Sequence, residues 1–261
     1  RILDEYKGEY KVNSSGVNSP PINLVYGYVH TAIPRIYFRD PHMSINPKGA
    51  ESIGAARVLE LVINYIFREL NLKNEVYRLL MDAFLFGHGW LKYGYIGKIG
   101  ETDGEPDGEV PTGKSEYVKD EEIFAAYVPY EDIIFDVTLC QDSPHDCRWI
   151  AHRIIRPVSE IKDDPKYDTT GKIKSNITTR DTKGEKIDEA LRDSDLELFE
   201  FWEVHDKDSN KIYCVASDMD RFLREVDNTY EMEGLPFSML KFNMVPGEPY
   251  PVLPWDVSNT C

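Results

Sequence analysis

Apolar side chains recur at helical spacing in residues 51–70, where Val58, Leu61, Val62 and Tyr65 are separated by three or four positions. This periodicity predicts an amphipathic helix. Four more apolar side chains widen the stripe: Leu59, Ile63, Ile66 and Leu70. A helix with such a wide apolar surface is expected to be covered by protein on both sides.

A second amphipathic helix is predicted over residues 75–86, with Asn74 as its N-terminal cap. Gly87 can adopt the left-handed conformation that ends many helices. An earlier helix is expected from Asn23 towards Pro34 and an extended segment after it, because proline disfavours helix in the preceding residue. The predicted buried face of the second helix comprises Val76, Leu79, Leu80, Ala83 and Phe84.

Short segments with strand-like patterns follow the helices, and residues 39–49 also have an extended character. A hairpin is predicted around the turn at 207–210, and a short helix is expected to begin at Pro157. The predicted fold class is α+β, a helical hairpin plus mostly antiparallel strands. The predicted strands are 90–97, 123–129, 131–137, 148–155, 195–206, 210–217, 221–228 and 236–243.

Polar segments divide the chain into a predicted N-terminal arm (1–22), an α+β domain (23–245) and a proline-rich connector (246–261). Within the domain, residues 100–122 contain nine acidic and two basic residues, so we expect an acidic, solvated loop or hairpin tip. Residues 163–194 are predicted to form a polar insertion.

The composition excludes several classes of protein. With 46 acidic against 30 basic residues, the formal net charge is −16, which argues against binding nucleic acid by neutralising its phosphates. A hydrophobic fraction of 41% is enough for a sizeable core. The four cysteines form no C-x-x-C pair and are predicted to be free thiols in a reducing compartment. No apolar run approaches the roughly 20 residues of a membrane helix.

The segment GEVPTGKS matches the phosphate-loop pattern, in which Gly108, Gly113, Lys114 and Ser115 would hold a nucleotide. Acidic residues precede the loop where an apolar strand should lead into it. A proline inside the segment removes one N–H from the phosphate cradle. A solvated loop is therefore favoured over a nucleotide site, and no cofactor is predicted.

The same segment offers a second, weaker match. Asp103, Glu105 and Asp107 resemble the start of a calcium-binding loop, but Lys114 occupies the position of the final bidentate glutamate. A plain acidic loop is favoured, and no metal is predicted. The six histidines show no zinc-binding spacing and no G-x-S-x-G motif exists, so no catalytic residue is assigned and an enzyme is not expected.

Six segments lie in a familiar order along the chain. They are NLVYGYVHTAIPRIYFRDPHMSINPKG (23–49), DAFLFGHGWLKYGY (82–95), YVPYEDIIFDV (127–137), CRWIAHRIIRPVSEIK (147–162), FEFWEVHDKDSNKIYCVA (199–216) and LPFSMLKFN (235–243). In this order they resemble the N-terminal, wing-like part of tailed-bacteriophage portal proteins. The stem and clip regions of such a subunit would follow Cys261, so we expect a partial or processed chain.

The resemblance implies a structural subunit of a homo-oligomeric ring, normally of twelve copies, at one capsid vertex of the virion. Double-stranded DNA would be packaged and ejected through this ring without sequence recognition. The implied partners are the packaging terminase, capsid and scaffold proteins and head–tail connector or adaptor proteins, with assembly in the host cytoplasm and no membrane partner. Two alternatives stay open: a nucleotide-binding or nucleotide-hydrolysing protein that uses GEVPTGKS, and a capsid-associated adaptor.

Overall fold

The computed structural model describes residues 2–7, 23–102, 115–138, 143–169, 173–177, 197–228, 234–245, 248 and 250–251. The chain divides into two compact units. Unit 1 comprises residues 1–128, 236–244 and 250–261, and unit 2 comprises residues 129–235 and 245–249. The boundary after Val128 falls inside the predicted 23–245 domain.

Five helices and eight strands form the described part of the fold. The helices are α1 (Ile2–Lys7), α2 (Leu24–Ile36), α3 (Ile53–Glu69), α4 (Leu72–Phe86) and α5 (Val158–Asp163). The strands are β1 (His88–Thr102), β2 (Ser115–Val128), β3 (Ile133–Phe135), β4 (Trp149–Pro157), β5 (Leu198–Asp206), β6 (Lys211–Val215), β7 (Arg224–Asp227) and β8 (Phe237–Lys241). Mixed helix and antiparallel sheet confirm the α+β class.

The two long predicted helices are confirmed as α3 and α4. Gly87 ends α4 with φ of +93°, as predicted, and its N–H donates to the carbonyl of Ala83. The predicted cap at Asn74 is wrong, because α4 begins one turn earlier. Asn71 precedes that helix in the left-handed conformation, with φ of +48°.

The helix predicted from Asn23 towards Pro34 is confirmed as α2, which includes Pro34 and ends at Ile36. Val29 and Ile33 are fully buried and pack with Phe84 and Leu85 of α4. These contacts hold the part of α2 that precedes Pro34, whereas Pro34 and Ile36 are exposed.

The strand-like segment at 39–49 contains no strand, because its backbone bonds to helix side chains. The N–H of Met43 donates to Asn64 Oδ1, and the Asn64 amide returns a bond to the Met43 carbonyl at 2.8 Å. The N–H of Ile45 donates to Glu60 Oε2. These bonds hold the extended segment beside α3.

The start of the predicted N-terminal arm is helical, since α1 spans residues 2–7. Tyr6 stacks on His30 of α2, and its carbonyl accepts a bond from the Asn23 side chain. Residues 8–22 of the predicted arm lie outside the described residues.

Unit 1 contains a three-stranded antiparallel sheet in the order β2-β1-β8. The acidic loop predicted at 100–122 is shorter than expected, because β1 extends to Thr102 and β2 begins at Ser115. Strand β8 pairs with residues 88–92 only, so β1 and β2 continue as a two-stranded hairpin from Tyr93 to Thr102. Residues 103–114 lie outside the described residues.

Unit 2 contains a five-stranded antiparallel sheet in the order β3-β4-β5-β6-β7. The predicted hairpin around residues 207–210 is confirmed as β5 and β6, and Asn210 supplies a positive φ in its turn. Most of the predicted polar insertion at 163–194 lies outside the described residues. The core of this unit contains Val158, Ile161, Ile173, Phe199, Phe201, Cys214, Ala216 and Leu223.

The cysteines are in two different states. Cys214 is a free, buried thiol, as predicted. Cys147 is disulfide-bonded, so the prediction of free thiols is wrong at this position. Cysteine spacing could not reveal this pair, because a disulfide depends on which thiols the fold brings together.

Candidate interaction surface

The predicted nucleotide and cation loops fall almost entirely outside the described residues. Gly108, Gly113 and Lys114 of the phosphate-loop match are outside, as are all three members of the cation match: Asp103, Glu105 and Asp107. Ser115 is the first residue of β2 and pairs with Thr102. A phosphate loop needs a helix to begin at this position, and here a strand begins.

His88 is the first residue of β1. His88 is buried, and the indole N–H of Trp90 donates to its Nδ1 at 3.0 Å. Burial, with a smaller contribution from nearby Lys241, lowers the pKa of His88 to about 4. The ring is therefore neutral near pH 7 and accepts a structural hydrogen bond.

A buried carboxylate connects α4 to the sheet of unit 1. The Tyr127 hydroxyl donates to Asp82 Oδ2 at 2.5 Å, and the Tyr127 N–H donates to Glu75 Oε2 at 2.8 Å. Asp82 and Glu75 lie on the α4 face that packs on β2. Sequence reasoning missed this junction, because only the fold places a β2 tyrosine beside α4.

Charged side chains in unit 2 are engaged in ion pairs within the fold. Arg148 Nε donates to the buried Asp136 carboxylate at 2.8 Å. This hydrogen bond is the main reason why the pKa of Asp136 lies below its ordinary value. Arg153 Nε donates to Asp132 at 2.7 Å. Among the described residues, no group of three or more His, Cys, Asp or Glu side chains is placed to hold a metal ion.

The exposed face of α3 is the most unusual surface feature of unit 1. Val58 is 61% exposed, Leu61 66%, Val62 46% and Tyr65 57%. These four residues, called the α3 stripe below, form the face on which the helix was predicted from periodicity. The prediction that protein covers this helix on both sides is wrong, since only Ala56 is fully buried.

Polar side chains occupy the protein-facing side of α3. Asn64 and Glu60 bond to the extended segment at 43–45, and the Asn64 amide also donates to the Glu60 carbonyl. The helix thus binds the segment at 43–45 through polar groups, and the α3 stripe faces solvent. Other apolar side chains of this helix and its C-terminal cap are half-buried: Ile63, Ile66, Phe67 and Leu70.

Two exposed arginines flank the α3 stripe. Arg57 and Arg68 lie four residues before and seven residues after Leu61, so helical geometry places all three along one side of α3. In the part of the chain that the structure describes, neither guanidinium is in an ion pair. The other exposed large apolar side chains of unit 1 among the described residues are Tyr26, Tyr28, Ile36, Phe38, Met43, Ile53, Leu59, Tyr77, Tyr95, Ile123, Met244 and Tyr250.

Comparison of the sequence with known families and curated proteins does not identify a relative. The sequence matches no model of a known protein family, and no curated protein sequence matches it. The helices within the described ranges include none that is long and apolar enough to cross a membrane.

Proposed function

We propose that this chain is the wing-like part of a portal subunit, a structural protein that forms a ring at one vertex of a bacteriophage capsid. Its role is to let double-stranded DNA pass during packaging and ejection, without sequence recognition and without catalysis. Its partners are copies of itself, the packaging terminase, capsid and scaffold proteins, and head–tail connector proteins. It assembles in the host cytoplasm and remains in the virion.

The exposed α3 stripe is the observation that carries this proposal. An isolated soluble protein gains nothing by exposing four large apolar side chains at helical spacing, whereas a subunit of an assembly covers them on association. The ordered resemblance of six sequence segments to portal proteins then selects the kind of assembly. The α+β architecture is compatible with it.

The charge of the chain supports the same function. With a formal net charge of −16, the protein repels DNA phosphates instead of binding them. A conduit benefits from this property because each bound phosphate would slow the passage of DNA.

Imaging of the assembled protein tests the proposal. Purified protein examined by electron microscopy and native mass measurement is expected to form closed rings of about twelve identical copies. A protein that stays monomeric at high concentration, or that forms only open filaments or dimers, contradicts the portal function.

Nucleotide binding separates the portal from the main alternative. The proposal expects no specific ATP binding, measured by calorimetry with Mg²⁺ present, in the natural protein or in Lys114→Ala. Binding that is lost in Lys114→Ala would support the phosphate-loop alternative instead. A capsid-associated adaptor is favoured if the protein binds preformed capsid vertices but forms no ring of its own.

A further inference from the structure

We infer that the α3 stripe is the surface on which a second copy of this chain docks. The inference deepens the proposed function and rests on it, because it takes the neighbouring copy in the ring as the partner. It assigns Val58, Leu61, Val62 and Tyr65 to the centre of the contact, and Arg57 and Arg68 to its rim.

The α3 stripe is a sizeable apolar surface. Its four side chains are 46% to 66% exposed and share one side of the helix. They present on the order of 400 Å² if each contributes roughly 100 Å². A stable interface needs about 800 Å² from each partner, so the stripe supplies about half of one side.

Hydrogen bonds within the chain already hold α3 in place. Asn64 binds both the N–H and the carbonyl of Met43, and Glu60 binds the N–H of Ile45. A partner then meets a preformed row of apolar side chains and loses little of its binding energy to ordering the helix. The spacing of three and four residues suits a partner that packs lengthwise along the helix.

Charge complementarity favours a second copy of the same chain as the partner. Arg57 and Arg68 are exposed cations beside the stripe, on a protein that carries 16 more negative than positive charges. A second copy approaches with a strongly acidic surface that these arginines can pair. Basic or neutral partners would leave both cations unpaired at the rim.

Sedimentation and light scattering of the purified protein test the inference. Leu61→Glu places a charge at the centre of the stripe and is expected to weaken self-association at least tenfold. The double variant Arg57→Glu, Arg68→Glu alters only exposed side chains and should also weaken association. Ile134→Glu, which replaces an exposed apolar residue of β3, is the matched control and should associate normally.

Far-ultraviolet circular dichroism checks that each variant is folded. If Leu61→Glu loses its helical signal, the arginine double variant decides the question by itself. Normal association of the double variant would then overturn the inference.

Cross-linking gives a second test. Tyr65→Cys protein carries a photo-cross-linker at this position, and ¹⁵N-labelled and unlabelled samples of it are mixed. We expect links between labelled and unlabelled copies. Links found only within one chain would show that the stripe is covered by its own chain and would overturn the inference.

The outcomes separate this inference from the proposed function. Rings that persist in Leu61→Glu overturn the role of α3 and leave the portal proposal standing. Dimers that disappear in Leu61→Glu, with no ring from the natural protein, support the α3 contact and contradict the portal. A natural protein that is monomeric up to high concentration overturns both.

Discussion

Single residues decide how closely α4 and β1 approach each other. A side chain at Gly89 would collide with the main-chain carbonyl oxygen of Leu79 in α4. Glycine is therefore required here for a close approach of two backbones, although its φ is not positive. From the sequence, GHG at 87–89 indicated only a helix end, and its third residue gave no sign of the contact.

Gly89→Ala is expected to lower the free energy of unfolding by about 3 kcal/mol, because backbone must move to accept the added methyl group. Gly54→Ala is the matched control, since open space surrounds this position in α3. It should leave stability unchanged or raise it by roughly 0.5–1 kcal/mol. Urea unfolding of both variants gives the measurement, and equal effects would show that the close contact at Gly89 is not rigid.

The buried His88 predicts a dependence of stability on pH. The folded pKa is about 4 and the ordinary value is 6.5, so between these values the unfolded chain binds a proton that the folded protein does not. The free energy of unfolding therefore falls as the pH drops from about 6.5 towards 4, by up to roughly 3 kcal/mol.

His88→Gln keeps an acceptor for the Trp90 indole and removes the titrating group. Its unfolding free energy should depend less on pH between 5 and 6.5 than that of the natural protein. The Asp136 carboxylate, whose pKa is lowered, does not obscure this window, because its contribution is lost only as the pH falls through its own depressed pKa. Identical pH profiles for the two proteins would contradict a neutral, buried His88.

At the scale of elements, α3 and α4 have the same kind of periodicity and opposite environments. Leu79, Leu80, Ala83 and Phe84 of α4 are buried, as predicted. Val76, the remaining member of the predicted face, is only half-buried. The stripe of α3 is exposed although its spacing is equally regular. Periodicity identifies the apolar side of a helix, and it does not say whether the same chain covers that side.

Leu80→Asp is therefore expected to unfold the protein or to cost more than about 4 kcal/mol, because it buries an unpaired charge. Leu61→Asp should cost about 1 kcal/mol or less, since its site is largely exposed. Thermal unfolding at low protein concentration compares the two variants without a contribution from association. Unfolding of both would mean that the chain itself covers the α3 stripe.

The whole molecule is defined by its charge and by its two units. A net charge of −16 disfavours non-specific binding to DNA phosphates. We therefore expect no retention of double-stranded DNA in gel-shift experiments at about 100 mM salt, where Lys- and Arg-rich binders are retained. Strong DNA binding that weakens steeply as salt increases would contradict the proposed role as a channel that does not bind DNA.

The sequence by itself determined the class of fold and the position of most elements. Helical spacing located α3 and α4, and alternation with turn residues located the hairpin at 207–210, because both signals are local along the chain. Side-chain bonds from α3 hold the segment at 39–49, where a strand was expected. These bonds join residues that are distant in sequence, so no local pattern contains them.

Only the tertiary structure decided which apolar surfaces are buried. It places Leu80 inside and Leu61 outside, joins Tyr127 to the buried Asp82, and starts a strand at Ser115 where a phosphate loop would need a helix. The hydrophobic effect rewards burial of apolar area without specifying the partner. An amphipathic pattern therefore determines that the α3 face should be covered, and the fold determines that its own described residues leave that face exposed.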